Sequence, residues 1–255
     1  MSVEFTGERL HDDELFAVDL ARHQAAYEVA RSQQARGRVL DLGTGSGHGA
    51  ALLAAGRGNV TALDRVAPDA LSRSRPARFV RGDVCRAPFR SGAFEMVLSF
   101  QVIEHLDDPG HYLAEIARLV GPNGTVLVST PNRLTSDGVN PYHVHEYVAD
   151  ELEKMLGEHF SDVEMQGIGA SERVRRHLQA HSQRVRRIVR LDPLRLREHL
   201  PRSWVEWLFA RFAVLVRRRG GPPSDLADVD WRDYPVGPAD DGCLDLLAVC
   251  RHPRT

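Results

Sequence analysis

The sequence has few cysteines, no long hydrophobic run and no targeting segment, and each absence excludes a class of protein. Its three cysteines, Cys85, Cys243 and Cys250, form no C-x-x-C pair, which argues against a disulfide framework and against a zinc site. The apolar run at 208–216 is interrupted by Arg211, so no segment reaches the roughly 20 residues that span a bilayer. The first residues lack the basic and apolar regions of a signal peptide. We therefore expect a cytoplasmic protein.

The composition of the 255 residues is that of a globular protein, but the charge is unevenly distributed. Apolar residues make up 42% and charged residues 27%, which allows a large core and excludes wholesale disorder. The net charge of −2 conceals a basic segment at 171–220, which holds 14 arginines and four acidic residues. That segment carries +10 and the rest of the chain −12. A functional interpretation must therefore account for it.

Short apolar segments alternate with helix-length segments through most of the chain. The predicted strands are 38–43, 59–64, 78–83, 94–100, 124–130, 161–168 and 243–251. The predicted helices are 12–34, 47–55, 68–74, 109–120 and 146–156, the first of them packed on the sheet edge. Such alternation is typical of an α/β protein with a parallel sheet and helices on both faces. The sequence therefore predicts a seven-stranded, mostly parallel sheet.

The order of these elements indicates one domain with an insertion rather than two domains. Residues 1–36 form a lead-in helical region, and 37–170 form the core with the first six strands. The basic segment 171–220 follows as a helical insertion. Residues 221–255 then supply an acidic loop and the final strand, which returns the chain to the same sheet.

A glycine-rich loop follows the first predicted strand, in the segment VLDLGTGSGHGA at 39–50. Glycine is needed where a ligand lies against the backbone, because a Cβ would occupy that space. The spacing Gly45-x-Gly47-x-x-Ala50 satisfies the dinucleotide fingerprint, and Asp64 follows Gly45 by 19 residues, close to the interval of a ribose-binding acid. Taken alone, this motif allows NAD(P) or another cofactor that carries a ribose.

Two further acidic residues distinguish between these cofactors. Asp41 stands just before the loop, where its negative charge suits a cationic sulfonium and opposes an anionic pyrophosphate. Asp83, after the third strand, is placed to accept from the amine of an adenine. With Asp64, an acid stands at the end of each of the first three strands. This pattern favours S-adenosylmethionine, whose amino-acid, ribose and adenine parts all offer hydrogen-bond donors.

Five motifs in order give the chain a resemblance to class I S-adenosylmethionine-dependent methyltransferases. They are VLDLGTGSG, ALD, GDV, SFQVIEHLDDP at 99–109 and GPNGTVLVSTPN at 121–132. The last two resemble the small-molecule branch of the family, which includes quinone-biosynthesis methyltransferases. The resemblance covers residues 37–168 and the last strand. It implies a Rossmann-like fold with S-adenosylmethionine as the cofactor.

The resemblance also implies which residues contact the cofactor. Loop glycines face its methionine part, an acid binds the ribose, a turn binds the adenine, and residues after the fourth strand line the pocket. In that order they are Gly43, Gly45 and Gly47; Asp64; Asp83 and Val84; and Phe100, Gln101 and Glu104. A purely structural alternative exists for some of the acids. Asp41 and Asp64 could cap neighbouring turns, and Glu104 could stabilise the positive end of a helix.

The acceptor side is predicted from the loop STPNRLTSDGVNPYHVHEY at 129–147. His143 and His145, with the adjacent Glu146, could supply a base and its orienting carboxylate. The alternative is that His145 and Glu146 cap the next helix while His143 lies on the surface. The loop resembles that of methyltransferases from sugar and glycan gene clusters, including mycofactocin oligosaccharide methyltransferases. This resemblance implies O-methylation of a hydroxyl on a small molecule or glycan.

Two features near the fourth strand concern the class of methyl acceptor and a possible metal ion. The run SFQV at 99–102 lacks the NPPY-like motif of amine and amide methylases, which argues against DNA bases and glutamine as acceptors. Asp107 and Asp108 could bind a divalent ion, but paired acids just before a helix are more typical of a cap. We therefore assign no metal site from the sequence.

An RNA-modifying methyltransferase and an NAD(P)-dependent oxidoreductase are the alternative functions.

The basic segment has four interpretations, and the sequence predicts no oligomeric state. It could be a lid over the acceptor, which is the interpretation we favour, or a solvated face neutralised by the acidic 222–245 loop. Amphipathic helices within 172–219 could make peripheral contact with a membrane. Nucleic acid is the least favoured partner, because the first two arginine clusters contain no aromatic residue for base stacking.

Overall fold

The computed structural model of the chain describes residues 17–33, 37–56, 59–67, 77–138, 140–189, 226 and 228–254. The helices are α1 (Ala17–Ser32), α2 (His48–Gly56), α3 (Pro109–Leu119), α4 (Ala149–His159) and α5 (Glu172–Val189). The strands are β1 (Val39–Leu42), β2 (Val60–Asp64), β3 (Arg78–Arg81), β4 (Phe94–Phe100), β5 (Val120–Pro131), β6 (Phe160–Ile168), β7 (Val236–Pro238) and β8 (Asp245–Pro253). Short 3-10 turns lie at Ile103–His105 and Trp231–Asp233. The predicted helix at 68–74 lies outside the described residues.

The strands form one sheet in the order β3-β2-β1-β4-β5-β8-β6-β7. Strands β1 to β5 pair in parallel, and β8 inserts antiparallel between β5 and β6. Because β8 is antiparallel to both of its neighbours, β6 runs in the same direction as β5. The α/β, Rossmann-like and mostly parallel fold predicted from the sequence is confirmed.

The sheet has eight strands where the sequence predicted seven. The additional strand, β7, lies within the predicted acidic loop and pairs antiparallel with the last residues of β6, from Gln166 to Ile168. It contains only Val236, Gly237 and Pro238, so it shows no hydrophobic alternation by which it could be recognised. Proline is tolerated there because β7 is the edge strand and leaves one side of its backbone unpaired.

Helices cover both faces of the sheet, as the alternation of elements predicted. The first face is covered by α3 and α4, with Leu113, Ile116, Leu152 and Leu156 fully buried. The second face is covered by α1 and α2, with Ala25, Ala30, Ala50 and Leu53 buried. The central strands are therefore enclosed on both sides, which explains why they read as nearly continuous apolar runs.

The first helix lies on a face of the sheet, whereas the sequence placed it on the edge. Its buried side chains belong to the same hydrophobic cluster as residues of the central strands β1, β4 and β5. Most of these side chains are alanines, and their small volume lets the helix approach the strands closely. They are Ala21, Ala25, Ala26 and Ala30, together with Tyr27.

The contact between α1 and α2 requires a glycine, which gives a testable prediction. A Cβ at Gly49, in the first turn of α2, would lie 1.8 Å from Cζ of Tyr27. At Gly56, the last residue of the same helix, a Cβ would meet no described atom within 4 Å. We expect Gly49→Ala to lower the free energy of unfolding by about 3 kcal/mol, the upper part of the usual cost of overpacking a core. Urea denaturation measures it.

The control for that prediction is Gly56→Ala, which makes the same chemical change in the same helix. We expect it to alter the free energy of unfolding by no more than about 0.5 kcal/mol, as for most surface substitutions. Equal stability of the two variants would contradict the packing described for Gly49 and Tyr27.

The first part of the predicted basic insertion is helix α5, which begins shortly after β6. The rest of that segment, 190–220, lies outside the described residues. In the first turn of α5, Arg173 pairs with Asp233 and, at 2.7 Å, with Asp228. Both acids come from the predicted acidic region, which therefore neutralises at least one arginine of the insertion. None of the described helices is long and apolar enough to cross a membrane.

The parallel strands bring the predicted site residues to one edge of the sheet. The carboxyl ends of β1 to β5 all point to this edge, and the loops that follow them lie side by side. In open α/β sheets ligands bind in the crevice outside these ends, where the strand order reverses. Here the order reverses between β1 and β4. The segment from Gly43 to Gly47 and the segment from Gln101 to His105 flank that point.

Candidate functional site

The glycine loop after β1 has a backbone that other residues rarely adopt. Gly43, Gly45 and Gly47 have φ angles of +86°, +58° and +84°, all in the left-handed region that favours glycine. A Cβ at Gly43 would also lie 2.5 Å from the side chain of Val102, whereas one at Gly45 would meet no described atom within 4 Å. The loop therefore offers bare backbone and open space at Gly45.

The carboxylate of Asp64, at the end of β2, holds this loop in place. It accepts hydrogen bonds of 2.9 Å from the backbone N–H groups of Gly45 and Val66. These contacts fit the structural alternative, in which Asp64 caps neighbouring turns. They also fit a ribose-binding role, because each carboxylate oxygen can accept more than one hydrogen bond. Asp64 thus links the glycine loop to the second strand at the point where a ribose would lie.

Asp41 is buried beneath the loop and is held by two hydroxyl groups. Thr44 donates to its carboxylate at 2.6 Å, and Tyr27 of α1 donates at 3.1 Å. Burial raises the pKa of the Asp41 carboxyl to about 6, although the two hydroxyl donors oppose this shift. The residue therefore fixes the loop on the first helix. The sequence predicted the helix that carries Tyr27 but did not predict this contact.

The adenine-side turn after β3 is stabilised by its own acid. Asp83 accepts from the backbone N–H of Cys85 at 2.9 Å and forms an isolated β-bridge with Arg86. Val84, between them, has 6% of its surface exposed. The turn thus places an acid and a buried apolar side chain next to each other, the pair that the sequence assigned to adenine.

The segment after β4 begins with a residue of unusual backbone. Gln101 has a φ of +57°, which is uncommon for a residue with a side chain and is found most often at functional sites. Its backbone N–H donates to the carbonyl of Ser129 on β5 at 2.9 Å. The neighbouring Phe100 is buried and packs edge to face on Tyr27, with ring centroids 4.9 Å apart. Gln101 is therefore held between the two strands.

Glu104, in the 3-10 turn, is fully buried, and only one of its two carboxylate oxygens has a hydrogen-bond partner among the described residues. Its Oε2 accepts from the hydroxyl of Thr130 at 3.1 Å, whereas Oε1 has no hydrogen-bond partner among the described residues. Burial raises the pKa of this carboxyl to about 8. The backbone carbonyl of Glu104 accepts from the N–H groups of Val144 and His145, at 2.7 and 3.2 Å. The residue thus anchors the acceptor-side loop to the end of β4.

His143 and Glu146 form a hydrogen-bonded pair within this loop. Nδ1 of His143 lies 2.6 Å from Oε1 of Glu146, and both side chains are nearly buried, at 15% and 11% exposed. Ser136 donates to the same carboxylate oxygen at 2.9 Å. Burial alone would raise the pKa of the Glu146 carboxyl, but the hydrogen bonds from His143 and Ser136 lower it below its ordinary value. Glu146 therefore stays ionised beside the imidazole.

His145 lies in a different environment from His143. Its Nε2 is 2.7 Å from Oε1 of Glu151, and the side chain is 44% exposed. The N-cap of α4 is Val148, without a side-chain cap hydrogen bond, so neither His145 nor Glu146 acts as the N-cap. Of the two predicted histidines, the structure brings His143 to Glu146 and to His105, whose ring centroid is 5.0 Å away.

Of the two acids that the sequence offered as possible metal ligands, Asp108 caps a helix. Asp108 is the N-cap of α3, and its carboxylate accepts from the backbone N–H of His111 at 2.9 Å. Pro109 occupies the first position of the helix, where its missing N–H costs nothing. Asp108 is therefore a helix cap, as the sequence predicted.

Comparison with known proteins places these features in a family. The family model described as "Methyltransferase domain" matches residues 40–128. A "probable S-adenosylmethionine-dependent methyltransferase" of Mycolicibacterium smegmatis is 32% identical over 251 residues, which cover 91% of this chain and 88% of that protein. Another protein of that description, from Mycobacterium tuberculosis, is 34% identical over 180 residues. That match covers 67% of this chain and 66% of the relative, just under two thirds.

More distant similarities agree with this placement. A ubiquinone biosynthesis O-methyltransferase of Aromatoleum aromaticum is 34% identical over 105 residues, covering 38% of this chain and 44% of that protein. Among solved structures, a protein of Thermotoga maritima described as an S-adenosylmethionine-dependent methyltransferase and possible histamine N-methyltransferase superposes with a TM-score of 0.59. It covers 93% of this chain and 92% of its own, at 14% identity. At that identity the likeness shows the fold alone.

Proposed function

The chain belongs to the S-adenosylmethionine-dependent methyltransferases, with S-adenosylmethionine as its cofactor, and from this premise we propose that it methylates a hydroxyl of a small molecule or glycan. The acceptor side of the site supports this proposal more than any other part of the molecule. Membership of the family leaves no support for the alternative of an NAD(P)-dependent oxidoreductase.

The residues of the described site fit this cofactor. The loop at Gly43, Gly45 and Gly47 offers backbone without Cβ atoms, and a Cβ at Gly45 would project into open space. Asp64 and Asp83 supply carboxylate acceptors beside it, which we assign to the ribose hydroxyls and the adenine amine. When bound, S-adenosylmethionine supplies a methyl group that is electrophilic because it is attached to a positively charged sulfur.

The His143–Glu146 pair is the observation that carries the choice of a hydroxyl. Methyl transfer is an in-line displacement, so the protein mainly positions the acceptor. A neutral amine already offers a lone pair, whereas a poorly acidic hydroxyl must lose its proton as it reacts, which requires a base. Glu146 accepts from Nδ1 of His143 at 2.6 Å, which places the lone pair on Nε2. The amide of Asn140 donates to Nε2 at 2.9 Å, and the acceptor hydroxyl would take its place. We assign Glu146 as the positioning residue for that base.

The basic segment is proposed to contribute to acceptor recognition. Because β6 runs parallel to β5, it ends at the same sheet edge as the strands that carry the site. Helix α5 starts four residues after the end of β6 and so leaves the sheet on the acceptor side. A segment of 14 arginines that starts from this edge suits an acceptor with anionic groups, or with many hydroxyls that accept hydrogen bonds.

Identification of the methylated atom tests the proposed function directly. The protein is incubated with S-adenosylmethionine carrying a CD3 group and with a panel of sugars, phenols, thiols and amines, and the products are analysed by mass spectrometry. We expect a CD3 group to replace the hydrogen of a hydroxyl on a sugar or phenol. A protein-free incubation is the control. Label found only on nitrogen, sulfur or added RNA would contradict the proposal.

A further inference from the structure

We propose that Glu104, His105 and His143 form a binding site for one divalent first-row transition-metal ion on the acceptor side of the cofactor pocket. One ligand atom from each of the three residues lies within 4.8 Å of the other two. Glu104 and His105 come from the 3-10 turn after β4, and His143 comes from the loop after β5. The fold thus gathers three metal-binding side chains that are separated by up to 39 residues.

The unpartnered oxygen of Glu104 is a second observation that points to a cation. The side chain is 0% exposed, and Oε1 has no hydrogen-bond partner in the described part of the chain. A buried carboxylate oxygen that accepts nothing is costly, and buried charges in native proteins are paired or coordinate metals. No lysine or arginine contacts Glu104 among the described salt bridges. A metal ion beside Oε1 would give this oxygen the partner that it lacks among the described residues.

Hydrogen bonds to the two imidazoles indicate which nitrogen of each could bind such an ion. Nδ1 of His105 lies 3.1 Å from the carbonyl oxygen of Tyr142, and Nδ1 of His143 lies 2.6 Å from Glu146. A carbonyl and a carboxylate can only accept, so each Nδ1 carries the proton and each Nε2 carries the lone pair. Histidines that bind metals typically donate their other N–H to a carbonyl or carboxylate in this way.

At least one of the described contacts must change when the ion binds. The amide nitrogen of Asn140 lies 2.9 Å from Nε2 of His143 and donates to it. An ion at Nε2 would displace this amide. The three ligand atoms lie within 4.8 Å of one another, and an ion bound at about 2.1 Å to each would hold them closer than that limit.

The donor set selects the class of ion. Two imidazoles and one carboxylate suit Mn²⁺, Fe²⁺, Co²⁺ and Zn²⁺, whereas Mg²⁺ and Ca²⁺ prefer oxygen ligands. Three protein ligands also leave coordination positions open, as in catalytic sites. Here the inference deepens the proposed function and rests on it. A hydroxyl bound at an open position would release its proton to water more readily. His143 would be a ligand when the ion is bound and the base assigned above when the site holds no ion, so loss of its imidazole is expected to lower turnover in either state.

Metal binding can be measured without knowing the acceptor. The full-length protein is treated with EDTA, dialysed and titrated with Co²⁺, whose visible absorption reports nitrogen and oxygen ligands, and with Zn²⁺ by calorimetry. We expect one ion per chain. We expect Glu104→Gln, His105→Gln and His143→Gln each to weaken binding by about 100-fold or more, beyond the 10- to 100-fold typical of losing an outer-shell partner.

The matched controls are His145→Ala, in the same loop but paired with Glu151, and His111→Ala, an exposed histidine on α3. Both should bind the ion within about twofold of the unchanged protein, the scatter expected for surface substitutions. Binding of S-adenosylhomocysteine shows that each variant is folded. If one of the three ligand variants does not fold, the other two are sufficient to test the proposal. The proposal is overturned if the unchanged protein binds no ion, or if His145→Ala weakens binding as much as His143→Gln.

The two proposals can fail separately. If the protein binds one ion per chain but the label is found only on nitrogen, the metal site stands and hydroxyl methylation is contradicted. Hydroxyl methylation that persists in EDTA, with no binding of Co²⁺ or Zn²⁺, would leave the proposed function and remove the metal site.

Discussion

Replacing His143 by alanine is expected to lower kcat/KM for the acceptor about 100-fold or more, the usual effect of losing a general base. The imidazole is held by Glu146 at 2.6 Å and lies beside Glu104 and His105 at the end of β4. Because His143 makes no contact with the glycine loop in the described hydrogen bonds, affinity for S-adenosylhomocysteine should remain within about twofold, as at a distant and independent site. Steady-state kinetics and calorimetry on the same preparation measure both quantities.

His145→Ala provides the comparison for this result. It removes a histidine from the same loop, but one that is 44% exposed and paired with Glu151. We expect it to lower kcat/KM by less than about tenfold, below the range of a lost general base. Equal losses in the two variants would show that the loop as a whole, and not the imidazole of His143, is required. Normal turnover in His143→Ala would remove the assignment altogether.

Replacing Asp64 by alanine is expected to weaken the binding of S-adenosylmethionine about 100-fold or more. Two effects combine. The ribose hydroxyls lose a charged acceptor, and hydrogen bonds to charged groups contribute about 1.5–3 kcal/mol each. The N–H groups of Gly45 and Val66 lose the carboxylate that holds the loop. Calorimetric titration with S-adenosylmethionine gives the affinity, and urea denaturation gives the separate effect on stability.

Two further variants distinguish loss of the Asp64 hydrogen bonds from loss of a negative charge. Asp64→Asn keeps one carbonyl oxygen for the loop but removes the charge, so its affinity should fall between those of Asp64→Ala and the unchanged protein. Glu153→Ala makes the same change in net charge on the exposed face of α4 and should leave affinity within about twofold, as for surface substitutions. If Asp64→Ala bound the cofactor as tightly as Glu153→Ala does, Asp64 would be a structural cap only.

The cofactor side of the site could be predicted from the sequence because its signals are local. Glycines at fixed spacing and an acid at the end of each strand lie within short segments, and parallel strands bring their carboxyl ends to one edge. The partners of Asp41 were not predictable in the same way. Tyr27 belongs to a helix that precedes the sheet, and its hydroxyl reaches Asp41 only because α1 packs on a face and not on the edge.

The acceptor side could be predicted as a region but not in detail. The sequence spacing of His143 and His145 gives no reason to prefer either, and both lie next to Glu146. The backbone decides between them, because consecutive N–H groups of Val144 and His145 bond to the single carbonyl of Glu104. The cluster of Glu104, His105 and His143 was not predicted either, because no sequence pattern connects the turn after β4 with the loop after β5. Strand β7 was missed because three residues carry no periodicity.

The pairing of β6 with β8 holds the two ends of a long segment of the chain next to each other. Ile168 and Asp245 are register partners, so the 76 residues between them form a loop whose two ends are fixed beside each other. Closing a loop costs free energy that grows only with the logarithm of its length, about 0.6 kcal/mol for each doubling. Changing the length of this stretch therefore costs little in loop closure, provided that β7 and the core residues Val174 and Tyr234 stay in place. Changes within 169–244 that keep these packed residues could therefore accommodate a new acceptor without altering the cofactor edge.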